Sequence, residues 1–170
     1  MKHLEIEMKT LLTKEEYHRL QANFSEILPI TQKNYYLDTP DFYLRQHKIA
    51  MRIRTFEDSG ELTIKIPQPV GNMEYNQALS LEEATKCLES GKLPQGMILE
   101  ELLSRGITPR DWTVLGCLTT IRYEKETSIG LMALDQSHYF DIVDYELELE
   151  VENGDQGKLD FKDFLEANGI

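Results

Sequence analysis

The chain has 170 residues, a net charge of −12 at pH 7, a hydrophobic content of 41% and a charged content of 28%. These values are typical of a single globular domain that is large enough to bury a core without disulfides. The acidic balance excludes nonspecific binding of DNA or RNA, which needs a basic surface, but a local cluster of cations can still bind a small anion.

Compartment and partners follow from equally simple features. No apolar run is long enough to cross a membrane, and the N-terminus lacks the apolar core of a signal peptide. Cys87 and Cys117 lie in apolar contexts without metal-ligand spacing, so we interpret both as reduced core residues of a cytoplasmic protein. The expected partners include neither a nucleic acid nor a membrane, and the oligomeric state stays open, with a homodimer among the options.

The first predicted strand covers residues 4–9, where charged and apolar residues alternate with a period of two. Glu5, Glu7 and Lys9 therefore share one face of this strand. A capping box at Thr13-Lys14-Glu15-Glu16 then opens an amphipathic helix over 14–25.

The remaining chain predicts an α+β fold with a mostly antiparallel sheet, because runs of strands are interrupted by helices at the edges. Residues 67–76 contain two prolines and a glycine, so we predict a loop feeding a short edge, in which Glu74 is either an acid of the site or a loop charge. The other predicted elements are strands over 30–38, 48–56, 61–66, 112–126, 129–135 and 144–152, a short turn or helix at 42–46, and helices over 81–90, 97–105 and 158–167.

Charges recur on one face of several later strands. Arg52 and Arg54 alternate with apolar residues, and Lys65 does the same on the next strand. The last strand carries three acids on one face, at 146, 148 and 150, and like charges at this spacing repel one another. A single such strand is typical of a solvated surface, whereas the agreement of several strands favours a shared, charged cavity.

A barrel that turned these faces inward would surround one cavity with acids and bases. Buried unpaired charges cost several kcal/mol each, so such a cavity would hold water, metal ions and an anionic ligand. Carboxylates suit Mg²⁺ or Mn²⁺, and arginine and lysine suit phosphate oxygens. The predicted ligand class is a polyphosphate.

The stretch Glu5-x-Glu7-x-Lys9 resembles the ExExK signature of the CYTH family, the triphosphate tunnel metalloenzymes. That family includes thiamine triphosphatases, inorganic triphosphatases and class IV adenylate cyclases. The chain looks closest to the small single-domain bacterial branch, whose members are often labelled as candidate adenylate cyclases. The other matching stretches, in the family's order over nearly the whole chain, are Tyr35-Tyr36-Leu37-Asp38-Thr39-Pro40, Arg52-Ile53-Arg54, Lys65, Thr120-x-Arg122 and Glu146-x-Glu148-x-Glu150.

The resemblance implies one domain over residues 1–170, folded as an eight-stranded antiparallel barrel that forms a tunnel with helices packed outside. Many relatives continue past the last helix into a further strand, so either this tunnel is open along one side or the chain is shortened. Tyr36 and Lys65 match a pair proposed to activate the attacking water, and neighbouring cations would favour such a role for a lysine. The implied metal ligands are Glu5, Glu7, Asp135, Glu146, Glu148 and Glu150, and the implied phosphate ligands are Lys9, Arg52, Arg54, Lys65 and Arg122.

The function that we expect is hydrolysis of a triphosphate with Mg²⁺ or Mn²⁺, because phosphoryl transfer depends mainly on positioning and charge neutralisation. The substrate would be inorganic triphosphate or an organic one such as thiamine triphosphate or a nucleotide. A class IV adenylate cyclase that makes cAMP from ATP is an alternative, although no adenine-reading motif is visible. A non-catalytic polyphosphate- or nucleotide-binding module is a further alternative.

Overall fold

The computed structural model describes all residues from Met1 to Ile170 and contains eight strands and five α-helices. The strands are β1 (Lys2–Leu12), β2 (Ile30–Asp38), β3 (Ala50–Thr55), β4 (Gly60–Pro67), β5 (Asn72–Leu79), β6 (Thr113–Thr127), β7 (Gly130–Tyr139) and β8 (Ile142–Val151). They form a closed barrel in the order β1-β5-β4-β3-β2-β6-β7-β8. The α+β barrel prediction is confirmed, and the strands close into a complete ring, so the alternative of an opening along one side does not apply.

The helices are α1 (Lys14–Gln21), α2 (Tyr43–Gln46), α3 (Leu81–Ser90), α4 (Met97–Ser104) and α5 (Gly154–Ala167), and α1 runs on into a 3₁₀ turn at Ala22–Phe24. The capping box predicted for α1 is present: the Glu16 backbone N–H donates to the Thr13 hydroxyl, and the Thr13 N–H donates to the Glu16 carboxylate. Ser80 opens α3 in the same way. No helix of the structure combines the length and apolar character that spanning a membrane requires.

The chain forms two compact units. The first unit contains residues 1–4 and 32–118, and the second contains residues 5–31 and 119–170. In the first unit β2, β3, β4 and β5 pair as an antiparallel meander. In the second unit β6, β7, β8 and β1 pair antiparallel in that order.

Each unit has its own hydrophobic core between strands and helices. In the first unit alternate residues of β3 and β4, such as Ile53 and Ile64, pack against Cys87 of α3 and Ile98 of α4. The core of the second unit joins α1, α5, β7 and β8, and its buried members are Leu12, Tyr17, Leu20, Phe24, Met132, Leu134, Leu147, Leu149 and Phe161. Because the helices pack on the outer face of the closed barrel, the alternate residues of the same strands form its inner face.

Three sequence-based expectations differ from the structure. The loop expected over 67–76 is a tight turn followed by the full-length strand β5, in which the Gln68 N–H donates to the Gly71 carbonyl. Helix α5 begins at Gly154 rather than 158, because the Asn153 side chain accepts from the Gln156 N–H and caps it. Cys87 is buried as expected, but Cys117 is exposed on β6 and is not a core residue.

Candidate functional site

The basic residues predicted from the sequence lie on the inner face of the first unit. Met51 and Ile53 are buried in the outer core. Arg52 and Arg54 alternate with these residues and therefore project from the opposite side of β3. Lys65 projects from the same face of β4, between the buried Ile64 and Ile66.

A row of four side chains crosses the first unit on this face. Tyr36 of β2 is the register partner of Arg52, Arg52 is the partner of Thr63 on β4, and Thr63 is the partner of Asn76 on β5. The Thr63 hydroxyl donates to Asn76 Oδ1 at 2.6 Å. The Arg52 Nε atom is buried and has no hydrogen-bond partner. A buried guanidinium N–H without an acceptor is costly, so this position is suited to an anionic ligand.

Neighbouring polar groups hold the other two cations of this face. Arg54 Nε donates to Asn34 Oδ1 at 2.6 Å. Lys65 Nζ lies 3.5 Å from Glu74 Oε2, and the two residues are register partners across β4 and β5. Glu74, which the sequence left open as a site acid or a loop charge, is buried and belongs to the polar network of β5.

Tyr36 and Lys65, the pair implied for water activation, occupy strands separated by β3. Lys65 is also offset by two residues from the register partner line of Tyr36, so their backbones are about 12 Å apart, which two long side chains can bridge over a bound group. Tyr36 is 42% exposed and alternates with the buried Leu37. The Glu74 carboxylate lies beside the Lys65 ammonium, so the two opposite charges stabilise each other.

The predicted acids of β7 and β8 meet on the inner face of the second unit. One oxygen from each of Asp135, Glu146 and Glu148 lies within 4.8 Å of the others. Arg122 joins them: its Nε donates to Asp135 Oδ1 at 2.8 Å, and its Nη2 donates to Asp135 Oδ2 at 2.6 Å and to Glu148 Oε2 at 3.0 Å. The resemblance placed Arg122 among the phosphate ligands, and the structure places it beside the carboxylates.

The acid cluster is short of positive charge. Burial raises the pKa of Glu146 to about 7, and the hydrogen bond and negative charge of Glu148 act in the same direction, while Lys9 opposes them. Burial disfavours the charged form of Arg122, but its bonds to Asp135 raise the pKa of the guanidinium above its ordinary value, so it stays cationic. One arginine does not offset three carboxylates, which leaves Glu146 poised to hold a proton or to bind a cation.

The remaining predicted acids and Lys9 lie on β1 and β8. Glu7 and Glu150 are register partners and both are half-buried, whereas Glu5 is buried with 8% of its surface exposed. Lys9 is the register partner of Glu148 and is exposed. β1 and β8 therefore set alternating acids and one base beside the Asp135–Glu146–Glu148 cluster.

Several inner-face residues were not found from the sequence. Asn34, Thr63 and Asn76 bond to one another or to the predicted cations. Ala133 is buried and lies between Glu148 of β8 and Glu124 of β6 in the register. A period-two reading places all four on the inner face, but their importance depends on the cross-strand register.

The donor set of the second unit fits a hard divalent cation. Three carboxylates converge on one position, and carboxylate oxygen is the ligand type that Mg²⁺ and Mn²⁺ prefer. Burial and the neighbouring Glu148 raise the pKa of Glu146, so the charge of this carboxylate is disfavoured unless a proton or a cation offsets it. The cluster can therefore hold a metal ion, with Asp135, Glu146 and Glu148 as ligands.

Comparison with known proteins gives a consistent family. The model of the CYTH domain matches residues 3–170. A protein of Bacillus subtilis (strain 168) named putative triphosphatase YjbK is 36% identical over 173 residues, which cover 98% of this chain and 87% of that protein. A crystal structure of a Bacillus halodurans protein described as a putative adenylate cyclase is also 36% identical, with a TM-score of 0.92 and coverage of 99% of this chain and 91% of the other.

A plant protein has the same fold. The Hippeastrum protein HpAC1, described as a putative adenylyl cyclase that reveals a dominant triphosphatase activity, has a TM-score of 0.84. It is 22% identical, and the match covers 98% of this chain and 89% of that one.

Proposed function

Because the chain belongs to the CYTH domain family, which its motifs predict, we propose that it hydrolyses a triphosphate on the inner face of its barrel with a divalent metal ion. A relative named as a triphosphatase, 36% identical over nearly the whole chain, supports a hydrolase. The observation that carries the proposal is the convergence of Asp135, Glu146 and Glu148 on one position that favours a cation.

In this proposal Asp135, Glu146 and Glu148 bind Mg²⁺ or Mn²⁺, with Glu5 and Glu7 on the neighbouring strand β1 and Glu150 further along β8 as additional acids. When bound, the ion supplies positive charge to phosphate oxygens and lowers the pKa of coordinated water. Arg122 orients Asp135 and Glu148 through its three hydrogen bonds and keeps their oxygens in place. We assign Arg122 to this positioning role rather than to direct phosphate binding.

Arg52, Arg54, Lys65 and Lys9 are the proposed ligands of the phosphate oxygens. The unsatisfied Nε of Arg52 supports this role most directly, since a phosphate oxygen would complete its hydrogen bonding. Asn34 fixes the orientation of the Arg54 guanidinium. Charge neutralisation and alignment by such groups lower the barrier to phosphoryl transfer.

Lys65 has two separable roles in this scheme. As an ammonium it binds phosphate, and as a neutral amine, together with Tyr36, it takes a proton from the attacking water. Lys65→Arg keeps the positive charge and removes the base at neutral pH. If the base role holds, this variant binds triphosphate and does not turn it over.

The test is phosphate release from inorganic triphosphate, ATP and thiamine triphosphate in the presence of Mg²⁺, Mn²⁺ or EDTA. We expect metal-dependent release that falls by about 100-fold in Glu148→Gln, because a ligand and a partner of Arg122 lose their charge. Glu152→Gln is the matched control, since Glu152 is exposed and follows the end of β8. Lys65→Ala is compared with Lys86→Ala on the outer helix α3.

Equal activity of wild type with metal and with EDTA would contradict the proposal, as would equal loss in Glu148→Gln and Glu152→Gln. Triphosphate binding without release, weakened in Arg52→Ala, would indicate a non-catalytic binding module. Adenylate cyclase activity is a second candidate, because the similar Bacillus halodurans structure is described as a putative adenylate cyclase. The ATP reactions are therefore also assayed for cAMP and pyrophosphate, which a cyclase would release in place of phosphate.

A further inference from the structure

Glu74 is a buried acid on the face of the first unit that is proposed to bind phosphate. It alternates on β5 with Met73 and Tyr75, which pack in the outer core, so its side chain lies on the inner face. A carboxylate repels phosphate oxygens, so its presence on this face calls for a partner of opposite charge. That partner is Lys65 of β4, whose Nζ lies 3.5 Å from Glu74 Oε2.

A series of hydrogen bonds fixes the carboxylate of Glu74. The Thr63 hydroxyl donates to Asn76 Oδ1 at 2.6 Å, and Asn76 Nδ2 donates to Glu74 Oε1 at 3.0 Å. An ionised carboxylate only accepts, so Asn76 presents its amide nitrogen to Glu74 and its oxygen to Thr63, whose hydroxyl must then donate. We call Thr63, Asn76 and Glu74 the carboxylate brace. The brace ends at Glu74, whose second oxygen faces Lys65.

The brace is more rigid than the lysine that it contacts. Thr63 is 1% and Glu74 7% exposed, so water has little access to compete for the hydrogen bonds between them and Asn76. The Lys65 side chain is 27% exposed and carries its charge on a flexible stem of four carbons. A fixed carboxylate beside such a stem restricts the positions that the ammonium group can take.

We propose that Glu74 is a positioning residue that holds the Lys65 ammonium in place for a bound triphosphate, an inference that rests on the proposed hydrolysis of triphosphate. Removal of the carboxylate should then have two effects. The value of kcat falls because Lys65 loses its alignment with the reacting phosphate. The value of KM also falls, because a negative charge leaves a face that binds an anion. A loss of structure alone does not tighten substrate binding.

A metal-ligand role for Glu74 is the competing explanation. A ring nitrogen of His3, in the same unit, lies within 4.8 Å of a Glu74 carboxylate oxygen, and both groups can bind metal ions. Loss of a metal ligand would weaken the binding of Mn²⁺ and raise KM. The positioning role leaves the affinity for Mn²⁺ unchanged, so the two roles predict opposite changes in KM.

The first test is the steady-state hydrolysis of inorganic triphosphate with Mn²⁺. Glu74→Gln keeps an oxygen that can accept from Asn76 but loses the charge beside Lys65. We expect kcat to fall by about tenfold and KM to fall by about threefold. Glu82→Gln is the matched control, because it removes the same charge from an exposed position on α3 and should leave both constants unchanged.

A change at the far end of the brace tests the hydrogen bonds without altering any charge. Thr63→Val removes the donor to Asn76, so kcat should fall by about threefold while KM stays at the wild-type value. Thr63→Ser keeps the hydroxyl and should restore kcat. Equal values of kcat in the valine and serine variants would overturn the role of the brace.

Nuclear magnetic resonance of protein with ¹³C-labelled lysine measures the order of Lys65 without turnover. The Lys65 signal is identified by its absence in Lys65→Arg. Its two ε hydrogens should differ in chemical shift in wild type and become equivalent in Glu74→Gln. A wild type that hydrolyses no triphosphate contradicts the proposed function, and this spectrum then tests the brace alone. An unchanged Lys65 signal, a raised KM or a weakened affinity for Mn²⁺ in Glu74→Gln overturns the positioning role.

Discussion

At the scale of single residues, Glu146 should make the stability of the protein depend on pH. Its pKa is raised from the ordinary value of 4.5 to about 7 by burial and by Glu148. Between these two values the folded state holds a proton that the unfolded chain has lost. The free energy of unfolding of the metal-free protein should therefore fall as pH rises from about 4.5 to about 7 and stay level above that range.

This pH dependence is measured by urea denaturation in EDTA, with wild type compared with Glu146→Gln. The variant has no titrating carboxyl at this position, so we expect a flatter profile between pH 5 and 7. Metal binding must displace the proton of Glu146, so the affinity of wild type for Mn²⁺ should rise through pH 7. Identical stability profiles for the two proteins would show that Glu146 does not hold the extra proton.

Ala133 offers a second test at this scale because it carries no charge. It lies on the inner face between Glu148 and Glu124 in the register, one alternation from Asp135. Ala133→Leu should crowd the neighbouring acids and lower the affinity for metal by about tenfold, as changes around metal ligands do. Ala78→Leu is the control, because Ala78 is exposed on β5. Unchanged Mn²⁺ affinity in Ala133→Leu would mean that this position does not border the metal site.

At the scale of elements, the start of α5 depends on a close contact with β8. A Cβ atom added to Gly157 would lie 2.6 Å from Val151 Cγ2. Alanine in place of a helical glycine normally gains about 1 kcal/mol, but overpacking of this kind costs about 1–3 kcal/mol. We therefore expect Gly157→Ala to lower the melting temperature. Val151→Ala in the same chain should restore part of the loss, and a double variant less stable than either single variant would contradict this account.

The elements also show which parts of the fold can be predicted from the sequence. Period-two alternation identified the faces of β1, β3, β4 and β8 correctly, because a strand's two faces follow from its own residues whatever its partners are. The length of strand β5 was underestimated for two local reasons. Pro67, Pro69 and Gly71 signal a loop, and Asn76 and Gln77 have low strand propensity. The strand forms because its pairing with β4 stabilises it.

Local sequence patterns explain why some residues of the site were predicted and others were not. The carboxylates Glu146 and Glu148 stand out because like charges on one strand face need an explanation. Asn34 and Ala133 do not, since an amide or a methyl group on a strand is ordinary until the register places it beside Arg54 or Glu148. Closure of the barrel was equally hidden, because it depends on pairing between strands distant in the chain.

At the scale of the whole molecule, the residues that build the hydrophobic cores are separate from those proposed to bind the ligand. Leu102 is buried in the core of the first unit, whereas Arg52 lies on the inner face. Leu102→Ala should cost about 2–5 kcal/mol of stability. Arg52→Ala should cost much less, because the buried Nε of Arg52 has no hydrogen-bond partner in the protein to lose.

Thermal unfolding with and without inorganic triphosphate distinguishes these two kinds of residue. Leu102→Ala should melt earlier than wild type and still be stabilised by triphosphate with Mg²⁺. Arg52→Ala should melt near the wild-type temperature and lose most of that stabilisation, because the stability that a ligand adds to the folded state grows with the logarithm of its affinity. Full triphosphate stabilisation of Arg52→Ala would remove Arg52 from the binding site.

The packing of the helices against the outside of the strands has a consequence for evolution. The outer core specifies the fold, so substitutions on the inner face can accumulate without the loss of foldability that usually accompanies changes inside a protein. One scaffold can then acquire new substrates by exchanging a few inward side chains while its folding determinants stay constant. Divergent activities in descendants of such a barrel are therefore expected to differ mainly at alternate strand positions.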